Sequence, residues 1–296
     1  MRCAVYLPYR LQLQLGRLIG RLMSILIPYR REVAQQNLRL CFPQLDKAQQ
    51  ERLLRRHFES VGMGLMETAM CWWMPEERLA PLAHLEGLGY LENALKQGRG
   101  VLLLSAHFTS LELGCRLLAL YQPLHITYRE ARNPLFNTIM KRARSRHAQA
   151  VIHRHDVRRM LKALKGNAVV WYAPDQDNGR QNAVFAPFFG IPAATIIATS
   201  RLAKISGAPV LPFFTRRRSD GHGYIVNILP PIQDFPSADA TADVHRINAL
   251  IEAEVGKAPE QYLWIHRRFK TRPDGEPDLY RQKPSRLRRQ KKALTR

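Results

Sequence analysis

A histidine and a glutamate stand five positions apart, just beyond an apolar run that ends at residue 104. These residues are His107 and Glu112. A carboxylate that holds one imidazole nitrogen fixes the tautomer of the ring, so that the other nitrogen can take a proton from a hydroxyl. The spacing allows His107 to act as a general base that Glu112 orients. Thr109 and Glu112 also have the spacing of a capping box, in which Glu112 would only cap a helix.

A second loop, at 174–180, combines acidic and basic residues with a glycine. Its charged members are Asp175, Asp177 and Arg180. Such a loop can bind a metal or a sugar phosphate, or it can be a plain polar turn. A phenylalanine-rich segment follows, with Phe185, Phe188 and Phe189. These rings either line an apolar channel or form a hydrophobic edge.

The elements that would position these loops alternate along the chain. Apolar runs predict strands at 100–105, 124–128, 151–152, 168–173, 210–215 and 224–229. Helical patterns and caps predict helices at 46–70, 110–120, 134–147, 156–166 and 195–206. This order predicts a single α/β domain with a mostly parallel central sheet flanked by helices. Active-site loops are expected at the carboxyl ends of the strands.

The amino-terminal segment has the pattern of a basic amphipathic helix. Apolar residues recur every three or four positions between Leu11 and Ile27, and arginines occupy other positions of the helical wheel. Arginines interrupt every window of roughly 20 residues, so a spanning helix is not predicted. The helix either packs on the domain or lies in a membrane interface. We therefore expect a membrane-associated segment at 1–32, a main domain at 33–280 and a basic, disordered tail at 281–296.

The chain is strongly basic, with 46 Lys and Arg against 24 Asp and Glu among 296 residues and a formal charge of +22. Residues 1–31 carry six arginines and 281–296 carry eight Lys and Arg, with no acidic residue in either segment. Such a charge indicates an acidic partner. Nucleic acid, an anionic membrane, an acidic carrier protein and a phosphorylated substrate all satisfy it.

Several enzyme classes lose support because their motifs are absent from the sequence. The chain has no Gly-x-Ser-x-Gly, no Gly-x-x-x-x-Gly-Lys-Ser/Thr and no His-Glu-x-x-His. His153 and His155 lack partner ligands at a suitable spacing and indicate a surface feature rather than a metal site. The four cysteines are widely separated, which suggests neither a zinc ribbon nor a disulfide framework. We expect no metal and no cofactor.

Five separated segments together resemble one enzyme family. They are LLLSAHFTSLELG, TYREARNP, WYAPDQDNGR, FAPFFG and APEQYLWIHRRFKTRP, and the resemblance runs from about Leu7 to Tyr280. The chain is similar to the late acyltransferases of lipid A biosynthesis, the lauroyl- and myristoyl-transferase group. These belong to the acyltransferase superfamily marked by His-x-x-x-x-Asp/Glu.

The resemblance implies transfer of a fatty acyl group from acyl carrier protein to a hydroxyl of a hydroxyacyl chain on a lipid A precursor. It implies His107 as the base, Glu112 as its partner and no covalent acyl-enzyme. Arg144 matches a functional arginine of the family, able to bind an acceptor phosphate or the developing oxyanion, although Arg142 and Arg146 lie on the same predicted helix. Asp175 matches another important position. The weaker binding candidates are Asp177, Arg129 and Arg180.

The same resemblance implies a cellular location and the residues that contact the acyl chain and the lipid. We expect the cytoplasmic face of the inner membrane, with Phe185, Phe188 and Phe189 along an acyl channel and Trp72 and Trp73 at the lipid boundary. The family usually opens with an apolar spanning helix, whereas about six residues precede Leu7 here. Two alternatives remain: an acyltransferase for another glycolipid or glycerolipid, and a basic nucleic-acid-binding protein.

Overall fold

The computed structural model describes residues 2–131 and 133–280, which form ten α-helices, nine β-strands and three short 3-10 helices. The helices are α1 (Tyr9–Leu26), α2 (Pro28–Cys41), α3 (Lys47–Trp73), α4 (Glu76–Leu79), α5 (Leu88–Leu95), α6 (Leu111–Leu118), α7 (Pro134–Arg144), α8 (Val157–Lys165), α9 (Ala198–Ser206) and α10 (Ala240–Lys257). The strands are β1 (Ala83–Glu86), β2 (Val101–Leu104), β3 (Leu124–Tyr128), β4 (Ala150–His153), β5 (Val169–Tyr172), β6 (Ala183–Phe188), β7 (Ile191–Ile196), β8 (Val210–Arg217) and β9 (Tyr224–Ile228). The basic tail predicted at 281–296 lies outside the described residues.

Seven strands form one central sheet in the order β1-β9-β8-β2-β5-β3-β4. Every neighbouring pair is parallel except β8 and β9. Helices connect the parallel strands, as this topology requires. The prediction of a single α/β domain with a mostly parallel sheet and an amino-terminal helix is confirmed.

The sheet is buried on both faces because its central strands are continuously apolar. All four residues of β2 are fully buried, and they alternate between two hydrophobic clusters. Leu102 and Leu104 face one cluster, while Val101 and Leu103 face the other. The carboxyl end of β2 is thereby held rigidly between two packed layers.

Side chains that cap the first turn mark the starts of two helices. Asp156 accepts a hydrogen bond from the backbone N–H of Arg159 and caps α8 as predicted. Asp46 and Gln49 form a reciprocal capping box at the start of α3. The capping box predicted from Thr109 and Glu112 does not form, because the Thr109 hydroxyl contacts Ser60 and Arg217 instead, and Ser110 makes no side-chain cap at the start of α6.

The sequence patterns missed several elements, including β1, α2, α5, α10 and the antiparallel hairpin of β6 and β7. The predicted helix at 195–206 begins only at Ala198, because Thr195 and Ile196 end β7. Both hairpin strands contain proline, which weakens a strand signal. A two-stranded sheet at the rim accepts proline because its outer edges are unpaired.

The amino-terminal amphipathic helix is present as α1, and it packs along α3 through glycines. A Cβ atom added to Gly16 would lie 2.7 Å from the Cα of Met63, so the two backbones touch. Outward-facing apolar side chains remain exposed on α1, with Ile25 at 73% and Leu26 at 75%. The predicted boundary between residues 32 and 33 falls inside α2, which runs without a break across it.

None of the helices in the described part of the chain is both long enough and apolar enough to cross a bilayer.

Candidate active site

His107 and Asp175 meet at the carboxyl edge of the sheet because their strands are neighbours. Leu104 and Tyr172, the last residues of β2 and β5, are register partners. His107 and Asp175 each lie three positions beyond these partners. Two loops that are 68 residues apart in sequence therefore place their side chains together.

Asp175 holds the imidazole of His107. Its Oδ1 lies 2.6 Å from His107 Nδ1, and its Oδ2 accepts the backbone N–H of His107 at 2.9 Å and the hydroxyl of Tyr262 at 3.0 Å. Asp175 is 1% exposed, whereas the side chain of His107 is 25% exposed. The carboxylate is thus fixed on three sides, while the imidazole remains open to a substrate.

The electrostatics of this pair define the tautomer. Burial opposes ionisation of Asp175, but the charge and hydrogen bonds of His107 outweigh it and lower the pKa of Asp175 to about 2. An ionised Asp175 only accepts hydrogen bonds, so Nδ1 of His107 carries the proton. In the neutral ring the Nε2 lone pair is then free to accept a proton, which is the arrangement that a general base needs.

The partner of His107 is therefore Asp175, and the expectation that Glu112 holds its ring is corrected. Glu112 instead accepts Arg144 Nε at 2.8 Å on Oε1 and pairs with Arg144 Nη2 through Oε2. Trp72 Nε1 also donates to Oε1, at 3.2 Å. Glu112 lies on the first turn of α6, and its carboxylate reaches α3 and α7 instead of the loop of His107.

Arg144 is the inward-facing arginine of α7, which the helical pattern alone did not select. Arg142 and Arg146 are exposed, whereas Arg144 is half-buried against Glu112. Burial raises the pKa of Glu112, but the charge and hydrogen bonds of Arg144 outweigh it, so its net shift is downward. Both groups stay charged, and they line a small cavity of about 20 Å³ with Cys71, Cys115 and His147.

Trp72, which the resemblance placed at a lipid boundary, does not face outward. Its side chain is buried, its indole N–H contacts Glu112, and its ring packs on Trp73 and Phe136. A buried indole needs a partner for its N–H, and the nearby carboxylate supplies one.

The phenylalanine segment divides into different environments. Phe188 is fully buried among Phe189, Tyr262 and Phe269, so it is a core residue rather than part of a channel wall. Phe185 is half-buried beneath the guanidinium of Arg180, at 5.6 Å from the ring centroid. The expected channel lining therefore loses Phe188, because close packing leaves no free face on its ring.

The remaining binding candidates lie outside the pair of His107 and Asp175. Asp177 accepts the backbone N–H of Thr271 at 2.6 Å and its hydroxyl at 2.8 Å, so it ties the loop to the carboxyl-terminal segment. Arg180 is exposed and pairs with Asp274 at 2.8 Å. Arg129 is exposed at the end of β3. Asp177 therefore holds its loop in place, and its carboxylate is already occupied by Thr271.

Tyr262 is the site residue that pattern reasoning missed. It follows the 3-10 helix at Pro259–Gln261, and the backbone N–H of Leu263 donates to the carbonyl of His107 at 2.9 Å. Burial raises the pKa of the Tyr262 hydroxyl, which therefore donates its proton to Asp175. The segment QYLWIH carried the only signal, because three aromatic or histidine side chains crowd it.

No group of three or more His, Cys, Asp and Glu side chains within 2–131 and 133–280 is arranged to hold a metal ion. The rings of His153 and His155 lie 5.3 Å apart at the end of β4, away from His107.

A mostly parallel α/β sheet with a carboxylate-held imidazole at its carboxyl edge suits removal of a proton from a hydroxyl, and therefore acyl transfer to that hydroxyl. The chain belongs to the bacterial lipid A biosynthesis acyltransferases, whose family model matches residues 1–271. It is 41% identical to the lipid A biosynthesis lauroyltransferase of Escherichia coli K12 over 277 residues, which cover 93% of this chain and 90% of that protein.

The names of other relatives specify different acyl groups. The chain is 43% identical to the E. coli K12 lipid A biosynthesis palmitoleoyltransferase over 93% of this chain and 90% of that protein. It is 29% identical to the E. coli K12 myristoyltransferase of the same process over 91% and 83%. A crystal structure of the Thermotoga maritima 1-acyl-sn-glycerophosphate acyltransferase matches 85% of this chain and 98% of that chain at 13% identity, with a TM-score of 0.39 that is too low to bear on function.

Proposed function

We propose that this lipid A acyltransferase takes its acyl group from acyl carrier protein. The acceptor is a hydroxyl of a hydroxyacyl chain on a lipid A precursor. The hydrogen bond between His107 Nδ1 and Asp175 carries the proposal, because it leaves Nε2 open to a substrate hydroxyl. The family membership supports the lipid A acceptor.

The reaction that this geometry supports is a direct transfer. Nε2 of His107 takes the hydroxyl proton as the oxygen attacks the thioester carbonyl, and Asp175 stabilises the resulting imidazolium. The tetrahedral intermediate then collapses, the carbon–sulfur bond breaks, and the imidazolium returns its proton to the thiolate. An ester and a free thiol are the products. No residue needs to become acylated.

Arg144 takes the role of anion binder in this scheme. Glu112 occupies its Nε and Nη2 atoms, and Nη1 makes no hydrogen bond to any described residue. A guanidinium fixed on one side and open on the other suits an acceptor phosphate or the developing oxyanion. Glu112 is then a positioning residue for Arg144, and Trp72 positions Glu112.

We further propose that the enzyme works at the cytoplasmic face of the inner membrane and contacts it through α1. The helix exposes Leu18, Leu22, Ile25 and Leu26, and it also exposes Arg17 and Arg21. Apolar burial and attraction between arginine and anionic lipid add at an interface. The rest of α1 faces α3, so the helix presents only its outer face.

Replacement of His107 by Ala tests the mechanism. We expect transfer from acyl carrier protein to a lipid A precursor to fall about 100-fold or more, because a positioned base contributes about 10²–10⁴ in rate. Mass spectrometry of the acceptor measures the product, and circular dichroism checks the fold. His84→Ala is the matched control, since His84 is an exposed histidine on β1. Full activity of His107→Ala would refute the mechanism, and transfer only to a lysoglycerolipid would refute the acceptor.

A further inference from the structure

One segment of the chain holds the net positive charge of the domain. Residues 32–280 contain 32 Lys and Arg and 24 Asp and Glu. Within 133–174 there are nine Lys and Arg but one acidic residue, Asp156. The remainder of 32–280 therefore has 23 basic and 23 acidic residues, so it carries no net charge.

Seven of these nine basic residues lie on α7 and α8, the two helices that flank β4, the edge strand of the central sheet. The apolar face of α8 is buried through Met160 and Leu164, and that of α7 through Met140 and Ala143, in different hydrophobic clusters. The outer faces expose a set that we call the basic surface: Arg142, Arg146, Arg158, Arg159, Lys162 and Lys165. Lys141 near the end of α7 and Arg159 of α8 border one open cavity of about 380 Å³, so the two helices meet around the edge strand.

The basic surface has no acidic counterpart in the described part of the chain. None of its six side chains forms an ion pair there. Asp156 uses its carboxylate to cap α8. Charge near an edge strand also discourages pairing with another chain, but none of the six residues lies on β4 itself, and four of them lie on α8. Protection of the edge therefore leaves most of this charge unexplained.

We infer that the basic surface docks the acidic acyl carrier protein that delivers the acyl group. This inference rests on the proposed function and adds the place at which the donor binds. Complementary charge steers such a partner and sets its orientation. A membrane is a poorer occupant, because interfacial binding needs apolar side chains as well as charge. Helix α8, which carries four of the six basic residues, has Val157 as its one large exposed apolar residue. Helix α7 exposes Leu135, Phe136 and Ile139 towards its amino end, whereas α1 exposes a longer row along its outer face.

The position of the surface suits delivery of an acyl chain to His107. The amino end of α8 follows the carboxyl end of β4, which is the same edge of the sheet that carries His107 beyond β2. Three strand spacings separate β4 from β2, or about 14 Å. The prosthetic arm of a carrier protein docked on α8 would cross this distance along the strand ends.

The double variant Arg158→Glu, Lys162→Glu tests the surface, with Lys96→Glu, Lys204→Glu as a control that makes the same charge change at exposed positions elsewhere. Each enzyme is assayed with acyl carrier protein and with an acyl-pantetheine thioester as donor, both with a detergent-dispersed lipid A precursor. We expect KM for the carrier protein to rise about tenfold or more in the test variant, with kcat changed less than about twofold. Kinetics with the small thioester, and all kinetics of the control, should stay unchanged.

An unchanged KM for the carrier protein overturns the docking surface and leaves the proposed function intact. An equal loss with both donors also overturns it, because the substitutions would then act on the site. Loss of binding to anionic phospholipid vesicles, with normal carrier kinetics, assigns the surface to the membrane instead. If the unmodified enzyme uses the small thioester but not the carrier protein, both the proposed donor and this surface are wrong.

Discussion

Two arginine–carboxylate pairs in this enzyme share one hydrogen-bond geometry but differ in their surroundings. In each pair, Nε and Nη2 of the arginine bind the two oxygens of a glutamate, and an aromatic side chain donates a further hydrogen bond to Oε1. The cleft pair is Arg144 and Glu112, with Trp72 as the further donor. The interior pair is Arg217 and Glu67, with Tyr224 as the further donor.

The difference lies in the donors that remain on each guanidinium. Arg217 donates from Nη1 to Ser60 Oγ at 2.6 Å and from Nη2 to Thr109 Oγ1 at 2.8 Å, so each nitrogen of its guanidinium has a partner within the protein. The side chains of the interior pair are 6% and 1% exposed, against 17% and 19% for the cleft pair. An arginine whose nitrogens are all paired within the protein supports the fold, whereas Arg144 keeps Nη1 without a partner among the described residues, as the proposed anion binder requires.

The largest expected effect comes from the interior pair. Arg217→Met should lower the free energy of unfolding by about 3–5 kcal/mol, because it leaves the carboxylate of Glu67 buried without a counter-charge. Urea denaturation followed by circular dichroism measures the change. Arg216→Met, at the less buried neighbouring position, should change stability by about 0.5 kcal/mol or less. A loss below about 1 kcal/mol at Arg217 would contradict its structural role.

The next effect concerns the cleft pair and appears in catalysis. Arg144→Lys keeps the charge but loses the planar fork, so kcat should fall about 100-fold while the unfolding free energy changes by about 1 kcal/mol. Steady-state acyl transfer and urea denaturation measure the two quantities. Arg142→Lys on the exposed face of α7 is the control and should retain full activity. A stability loss at Arg144 as large as that at Arg217 would erase the distinction between the pairs.

The smallest effect comes from the aromatic donors, one in each pair. Trp72→Phe removes the indole N–H from Glu112 and should reduce kcat about fivefold, equivalent to the ~1 kcal/mol of one hydrogen bond. Tyr224→Phe removes a hydroxyl from Glu67, with an expected loss of about 1 kcal/mol in stability and little change in kcat. Acyl-transfer assays and denaturation curves on both variants measure the contrast. The reverse pattern would show that the cleft pair is the structural one.

Local signals were enough to predict the strands and the loops that carry the site. The apolar runs at 100–105, 124–128 and 168–173 predicted strands, and the structure has strands at 101–104, 124–128 and 169–172. His107 and Asp175 were both placed at strand ends for this reason. The inward-facing arginine of α7 needed the family resemblance, because three arginines share the helix.

The pairing of His107 with Asp175 needed the order of strands, which local patterns do not contain. Glu112 was the nearer carboxylate in sequence, but β5 lies directly beside β2 and brings Asp175 within 2.6 Å of the imidazole. Tyr262 enters the site from a carboxyl-terminal segment that follows α10, an element with a weak pattern. Contacts between distant segments depend on the whole fold. Spacing along the chain alone therefore favoured Glu112 over Asp175 as the partner of His107.

The glycine contact between α1 and α3 fixes how far the outer face of α1 lies from the active site. Backbone meets backbone at Gly16, so no side chain can absorb a shift between the two helices. The same α3 touches the loop of His107 at Gly64, where an added Cβ would lie 2.6 Å from the carbonyl oxygen of Thr109. The outer leucines of α1 and the imidazole are thus held at one fixed separation. The same separation sets the distance between the acceptor hydroxyl, which must reach His107, and any apolar surface that those leucines contact.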